Sequence, residues 1–372
     1  MKVFILKTFI FFLNVIYSFF KLLKTQKKVV MISRQSDEVN DDFKLLGDEL
    51  LKKGVKVVYL CRTLDGGVNS TIFTKISYGF HLFTQMYHLA TSKVCVLDTY
   101  CLVVSILNHK NTLKIVQMWH TVGKLKKFGW QIIGMDEGSS ATIAKTMKMH
   151  ENYDVVYYAG EEYKEVLMEG FNTSSEKFRK FTLPRIDLLT DEVYIKTTRE
   201  SIFAKYPELQ KKENVIYAPT FRKNESEFLE NFEKLLVEFN FEKYNLVVKL
   251  HPLTKSIVKD DRVIVDNDFS TFQMLTCASK LISDYSCVVY EAGIKNIPLY
   301  FYNYDMGNYE NVRGLVIDYD ELPGYKAQSA GELIESLEKP YDYDYLRSFI
   351  NRYVENTENC TTKMVGDILS MM

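Results

Sequence analysis

The chain has 372 residues, 47% of them apolar, and its 47 lysines and arginines nearly balance 48 aspartates and glutamates. That length exceeds what one hydrophobic core usually organises, so two domains are expected. The near-neutral balance supplies no global field for a polyanion, which argues against nucleic acid as a partner.

Six lysines (Lys2, Lys7, Lys21, Lys24, Lys27 and Lys28) and no acid occupy the first 28 residues, with phenylalanine-rich sequence between them. Ser18-Phe19-Phe20-Lys21 lacks a small-x-small cleavage site, so a removed signal peptide fits poorly. Val3 to Leu23 is long enough to cross a bilayer, although Lys7 and Asn14 interrupt it. A helix lying among cytoplasmic headgroups explains lysines at both flanks better than a spanning helix or a buried structural one. Residues 1–26 are therefore predicted to associate with the membrane, leaving the protein peripheral on the cytoplasmic face of the cell membrane.

From Lys27 onward, short apolar runs alternate with amphipathic segments, the pattern of a parallel sheet covered by helices. Strands are predicted at Val29 to Ser33, Val55 to Leu60, Val94 to Leu97, Leu113 to Met118 and Val155 to Tyr158. A helix is predicted from Asp41 to Lys53, with Gly54 as its C-cap. The spacing places a loop and a charged helical segment between Leu183 and Pro207, and a second alternating series after it. Its predicted strands are Val215 to Ala218, Leu246 to Leu250, Val263 to Val265, Leu281 to Ser283 and Leu299 to Tyr302. Helices are predicted near Glu225 to Phe239, Phe269 to Ala278 and Ser286 to Lys295. The reading is of α/β class: a Rossmann-like domain over 27–190, a second over 191–340, and C-terminal helices over 341–372 packing back on the first. Two such domains bind ligand where strand C-terminal ends face a cleft.

Chemistry concentrates where strands end. Gln117-Met118-Trp119-His120 runs into a turn with Lys124, Lys126 and Lys127, which places a proton acceptor beside positive charge suited to a phosphate. His251, in Lys249-Leu250-His251-Pro252, repeats the arrangement, either as a second catalytic group or as a satisfied structural histidine. Thr220 and Arg222 follow another strand; Arg222 is read as a bidentate phosphate ligand, with a surface ion pair as the alternative. Ser283, Asp284, Ser286 and Glu291 span a strand end and a helix start able to cradle a diphosphate and ribose hydroxyls, although Ser286 also fits a plain N-cap. His81, His88, His109 and His150 lack metal-ligand spacing, and six cysteines without a C-x-x-C pair read as reduced core residues, so no metal or cofactor is expected.

Taken in order, these motifs resemble the CDP-glycerol:glycerophosphate glycerophosphotransferases of teichoic acid synthesis. The resemblance runs from Ile32-Ser33-Arg34-Gln35-Ser36 through Trp119-His120, Pro184-Arg185-x-Asp187, Pro219-Thr220-Phe221-Arg222, Lys249-Leu250-His251-Pro252 and Ser283-Asp284-Tyr285-Ser286. Phe301-Tyr302-Asn303-Tyr304-Asp305, Arg313-Gly314 and Pro323-Gly324 complete it. The sequence departs from the common Trp-His-Gly-Thr-Pro-Leu-Lys run after His120, and Cys287 replaces a serine, which bears on the acceptor or polyol more than on the reaction class. The resemblance implies a two-domain GT-B fold. Arg185, Asp187, Asp305 and Arg313 become acceptor or secondary residues.

The activity implied is transfer of glycerol phosphate or ribitol phosphate from CDP-glycerol or CDP-ribitol to a polyprenyl-diphosphate-linked glycan, with CMP leaving. His120 is the expected general base, and His251, Arg222 and the Ser286 helix terminus stabilise the departing phosphates. Two rivals remain: a glycosyltransferase of the same fold using a UDP-sugar on a lipid-linked glycan, and a catalytically dead membrane scaffold.

Overall fold

The computed structural model describes residues 2–63, 71–222, 224–251, 254, 259–307 and 314–372. The chain divides into two compact units, one made of Met1–Val122, Lys127–Asp187 and Asn356–Met372, the other of Gly123–Lys126 and Leu188–Glu355. The chain thus leaves the first unit at Asp187 and returns to it only for its last 17 residues.

In the first unit, six parallel strands lie in the order β2-β1-β3-β4-β5-β6: β1 (Lys28–Ser33), β2 (Lys56–Cys61), β3 (Val94–Leu97), β4 (Lys114–Gln117), β5 (Val155–Tyr158) and β6 (Phe178–Lys180). Every residue of β1, β3 and β5 is buried, which is why these strands read as continuous apolar runs rather than alternating ones. Before them comes α1 (Lys2–Phe20), and between them lie α2 (Asp41–Lys52), α3 (Ile72–Thr91), α4 (Leu102–Ile106), α5 (Ala141–Thr146) and α6 (Glu161–Phe171). Asn40 caps α2 by accepting from the Phe43 N–H at 2.9 Å, and Asp41 and Asp42 occupy the first turn, where the helix dipole favours negative charge. The edge strand β6 was not predicted; its residues Phe178-Arg179-Lys180 offer no apolar run to read.

The helix α1 packs on α3 and α5 along one side only. Its polar residues tie it separately to residues 106–109, at the end of α4 and just past it. The Asn14 amide donates to the Ile106 carbonyl and accepts from the Asn108 N–H, while the buried Tyr17 hydroxyl pairs with His109 Nδ1 at 2.9 Å. Burial holds the His109 pKa down to about 4, so this ring is neutral and its Nδ1 accepts.

The second unit begins with α7 (Glu192–Lys205) and has its own parallel sheet, ordered β12-β11-β10-β7-β8-β9. Its strands are β7 (Glu213–Tyr217), β8 (Tyr244–Val248), β9 (Val263–Val265), β10 (Lys280–Ser283), β11 (Leu299–Tyr302) and β12 (Tyr325–Ala327). The interspersed helices are α8 (Glu225–Glu238), α9 (Thr271–Met274), α10 (Val288–Ile294), α11 (Ala330–Leu337) and α12 (Tyr343–Tyr353). Phe228, Phe232 and Leu235 of α8 and Leu333 and Leu337 of α11 bury one face of the sheet. On α10, Tyr290 meets Phe349 and Tyr353 of α12, with ring centroids 6.1 and 5.1 Å apart. The C-terminal helices therefore divide, contrary to the expectation that both return to the first domain. Aromatic burial keeps α12 in the second unit, and only α13 (Cys360–Ser370) packs on α2 of the first.

Candidate functional site

In the first unit the decisive local feature is a turn at the end of β4. Trp119 adopts φ 57°, a left-handed conformation uncommon for a bulky residue. The buried Gln117 side chain holds it there, its Oε1 accepting from the Trp119 N–H at 2.9 Å and its amide donating to the Thr99 carbonyl at 3.0 Å. Trp119 then packs among Phe128, His150 and Phe171, and His120 is turned off the strand end, partly exposed. His120 Nδ1 lies 2.9 Å from the Asp98 carbonyl oxygen. A carbonyl only accepts, so Nδ1 carries the proton and Nε2 keeps its lone pair. The Gln35 amide group lies 3.3 Å from the same Nδ1.

Arg185 approaches the same histidine from behind. Its Nη2 donates to the His120 carbonyl at 2.9 Å, and its Nη1 and backbone N–H both bind the buried Asp42 carboxylate, at 2.5 and 2.8 Å. Asp187, two residues on, accepts from the N–H groups of Cys360 and Thr361 and so holds the start of α13. Of the two charged residues in the Pro-Arg-x-Asp motif, one reaches the histidine and the other secures a helix.

In the second unit, the ends of β7 and β10 are locked by charge. The Asp284 carboxylate accepts from the Thr220 N–H and hydroxyl, and from Arg222 Nη2 at 2.8 Å. The Arg222 fork of Nε and Nη2 closes on Asp305 at 2.5 and 3.1 Å, and Nη1 donates to the Thr220 carbonyl. Arg222 turns its bidentate face to Asp305, and with its side chain 10% exposed the pair is no surface bridge, which corrects that alternative. Burial opposes its charge, and the attraction of Asp284 and Asp305 outweighs that and raises its pKa. Asp305 is likewise a partner of Arg222 and Tyr285. Ser283 is buried and donates to the Ala218 carbonyl, which makes it a strand-end tie rather than a ligand for the donor.

What remains open near this edge is narrower than the sequence implied. Lys126 Nζ donates to Thr220 Oγ1 at 3.2 Å, and the exposed His251 has its pKa lowered by partial desolvation and then by Lys126. Lys124 is buried, its carbonyl accepting from the Tyr290 hydroxyl at 3.1 Å. Gly123 permits that approach, since a Cβ there would fall 2.4 Å from the Tyr290 ring. Lys127 groups with the first unit, apart from Lys124 and Lys126. Ser286 precedes α10, which starts at Val288, and Glu291 is buried inside that helix. Arg313 and Pro252 lie outside the described residues. Lys249, singled out only as part of a motif, binds the buried Asp266 carboxylate at 2.6 Å and organises the loop that follows β9. Asp42 and Gln117 were missed; the only signal for Asp42 was a second acid in a helix first turn. Among the described residues no group of three or more His, Cys, Asp or Glu is placed to hold a metal ion.

Two parallel α/β units, each with polar side chains gathered at strand C-terminal ends, form the architecture of a two-unit α/β protein whose ligands bind at strand C-terminal ends. Residues 14–370 match the model of the family described as CDP-glycerol:poly(glycerophosphate) glycerophosphotransferase, and the chain belongs to that family. It is an enzyme of the CDP-polyol phosphotransferase type. Among its relatives, a teichoic acid ribitol-phosphate primase of Bacillus spizizenii is 26% identical, with 92% of this chain and 90% of the relative covered. A teichoic acid glycerol-phosphate primase of Bacillus subtilis is 31% identical over 73% of this chain and 72% of its own. The wall teichoic acid polymerase TagF has a similar fold, with a TM-score of 0.73 over 98% of both chains at 19% identity.

Proposed function

We propose that the protein transfers glycerol phosphate or ribitol phosphate from CDP-glycerol or CDP-ribitol to a hydroxyl of a lipid-linked acceptor, a polyprenyl-diphosphate-linked glycan, in teichoic acid or related envelope polymer synthesis. The observation that carries the reading is the 2.9 Å approach of His120 Nδ1 to the Asp98 carbonyl: a carbonyl accepts, which leaves Nε2 as the nitrogen able to take a proton. The acceptor oxygen attacks the polyol-bearing phosphorus, its proton passes to His120 Nε2, and the bond from that phosphorus to the bridging oxygen breaks to release CMP. His251, whose lowered pKa keeps it neutral near pH 7, donates through a ring N–H to phosphate oxygens, with Lys126 adding positive charge. Names of relatives support both polyols, which leaves the donor to experiment.

The lipid-linked acceptor is consistent with the outer face of the first unit. On α1, Phe4 and Phe19 are 75% and 69% exposed, and α3 continues the apolar surface with Ile76, Phe80 and Phe83. The opposite face of α1 is tied down by Asn14 and Tyr17, so this helix enters one leaflet as part of a peripheral protein at the cytoplasmic face.

The test is CMP release from CDP-glycerol and from CDP-ribitol with a membrane acceptor fraction, for the wild type and His120→Ala. One donor should give CMP, and the variant should turn over about 10²- to 10⁴-fold more slowly with donor KM little changed. Excess chelator should leave the rate unchanged, since no metal is invoked. UDP release from a UDP-sugar, or full activity in the variant, overturns the reading.

A further inference from the structure

Three tethers converge on one histidine, and one of them is built from residues far apart in the chain. The ring of His120 is held by Asp98, the residue before it by Gln117, and its own carbonyl by Arg185. Arg185 lies 143 positions from Asp42, yet both oxygens of that buried carboxylate bind it. Asp42 sits in the first turn of α2 with its side chain 4% exposed, so the guanidinium is fixed in direction as well as in charge. The turn it stabilises is strained. A left-handed Trp119 is strained and persists only where the surroundings hold it. Without Arg185 the peptide after His120 is free to rotate, carrying the imidazole away from the Asp98 carbonyl and scrambling which ring nitrogen bears the proton.

We infer that Asp42 and Arg185 are a positioning pair for the reaction, acting through the backbone of His120 to hold Nε2 unprotonated and aimed, rather than binding a substrate phosphate. The inference rests on the reading of His120 as general base. It differs from the sequence expectation, which placed Arg185 among acceptor residues. A lysine at position 185 has a single point of donation, so it reaches Asp42 or the His120 carbonyl and not both.

The experiment is a double-mutant cycle with a spectroscopic arm on the full-length protein. Arg185→Lys and Asp42→Asn should each lower kcat about 10- to 100-fold with both substrate KM values little changed, the cost of displacing one catalytic group by about an ångström. In a His120→Ala background, adding Arg185→Lys should cost less than about twofold, because the residue it positions is gone. Nitrogen-15 histidine spectra, with His120 assigned from its loss in His120→Ala, should show one tautomer in the wild type and an averaged signal in both pair variants. A raised acceptor KM at unchanged kcat, full additivity in the His120→Ala background, or an unchanged tautomer signal overturns the inference. If His120→Ala is fully active, the base assignment fails while the tautomer signal still decides whether the pair positions the ring. Should Arg185→Lys fail to fold, Asp42→Asn carries every arm.

Discussion

Asp98 shows how a residue can pass unread in the sequence and matter in the fold. It follows a four-residue apolar strand, and its backbone oxygen orients His120, but its side chain turns inward to Asn40 at 2.8 Å. Burial raises its pKa to about 6, with the hydrogen bonds of Ser33, Thr99 and Asn40 working the other way. Because the folded pKa exceeds the unfolded value near 4, the protonated acid favours folding; that contribution is whole below about pH 4 and is lost as pH rises through about 6. The shift corresponds to roughly 3 kcal/mol. Asp98→Asn should therefore be more stable than the wild type at pH 7.5 by an amount of that order, and little different at pH 4. Urea unfolding at the two pH values checks this, and equal differences at both would contradict it. His120 itself was legible because a histidine interrupts an apolar run. The left-handed Trp119 that aims it was not, since its conformation depends on a Gln117 bond and an aromatic cluster assembled from three other elements.

Among the elements, α1 was legible by composition and undecided by orientation. A run of apolar residues with lysines at its flanks fits spanning, lying flat or burial, and tertiary structure adds how the helix is held. Asn14 and Tyr17 bond to residues 106–109 along one side, and the phenylalanines emerge on the other. Residues of α3 that sequence reading left without a role, Phe80 and Phe83, extend the same surface. Replacing Phe4, Phe11, Phe19 and Phe80 by serine should abolish co-sedimentation with vesicles containing anionic lipid, while leaving the thermal transition in place because these side chains are exposed. Raising salt should weaken wild-type binding only in part, since apolar burial supplies the rest. Retained binding by the fourfold variant would show that another surface holds the membrane.

Over the whole molecule, the path of the chain matters more than either sheet alone. The first unit is completed by the last segment of the sequence, where Asp187 accepts from the Cys360 and Thr361 N–H groups at 2.7 and 2.9 Å and α13 covers α2. Asp187→Ala should cost about 1–2 kcal/mol as a lost helix cap. Truncation after Glu355 should lower the unfolding temperature of the first unit and leave the second, whose α12 is retained, close to its original transition. Calorimetry on the two variants tests this, and a truncated protein melting like the wild type would show α13 to be dispensable.

Strand positions and the parallel α/β class were determined by the sequence itself, because a strand buried on both faces must be apolar throughout and its helices must carry an apolar stripe. The two histidines and the lysine-rich turn were legible for a related reason: polar residues interrupting apolar runs mark strand ends. Edge strands β6 and β12 are each broken by a basic residue and showed no apolar run, unlike the equally short β9, and the split between α12 and α13 had no local signature. Tertiary structure alone decided which charge meets which. Arg185 finds Asp42, and Arg222 finds Asp284 and Asp305, across 143, 62 and 83 positions. Hydrophobic periodicity encodes how far a residue is buried. The partner of a buried charge is set by which strand ends the sheet order brings together, and the cost of leaving such a charge unpaired makes those pairings obligatory once the sheets have formed.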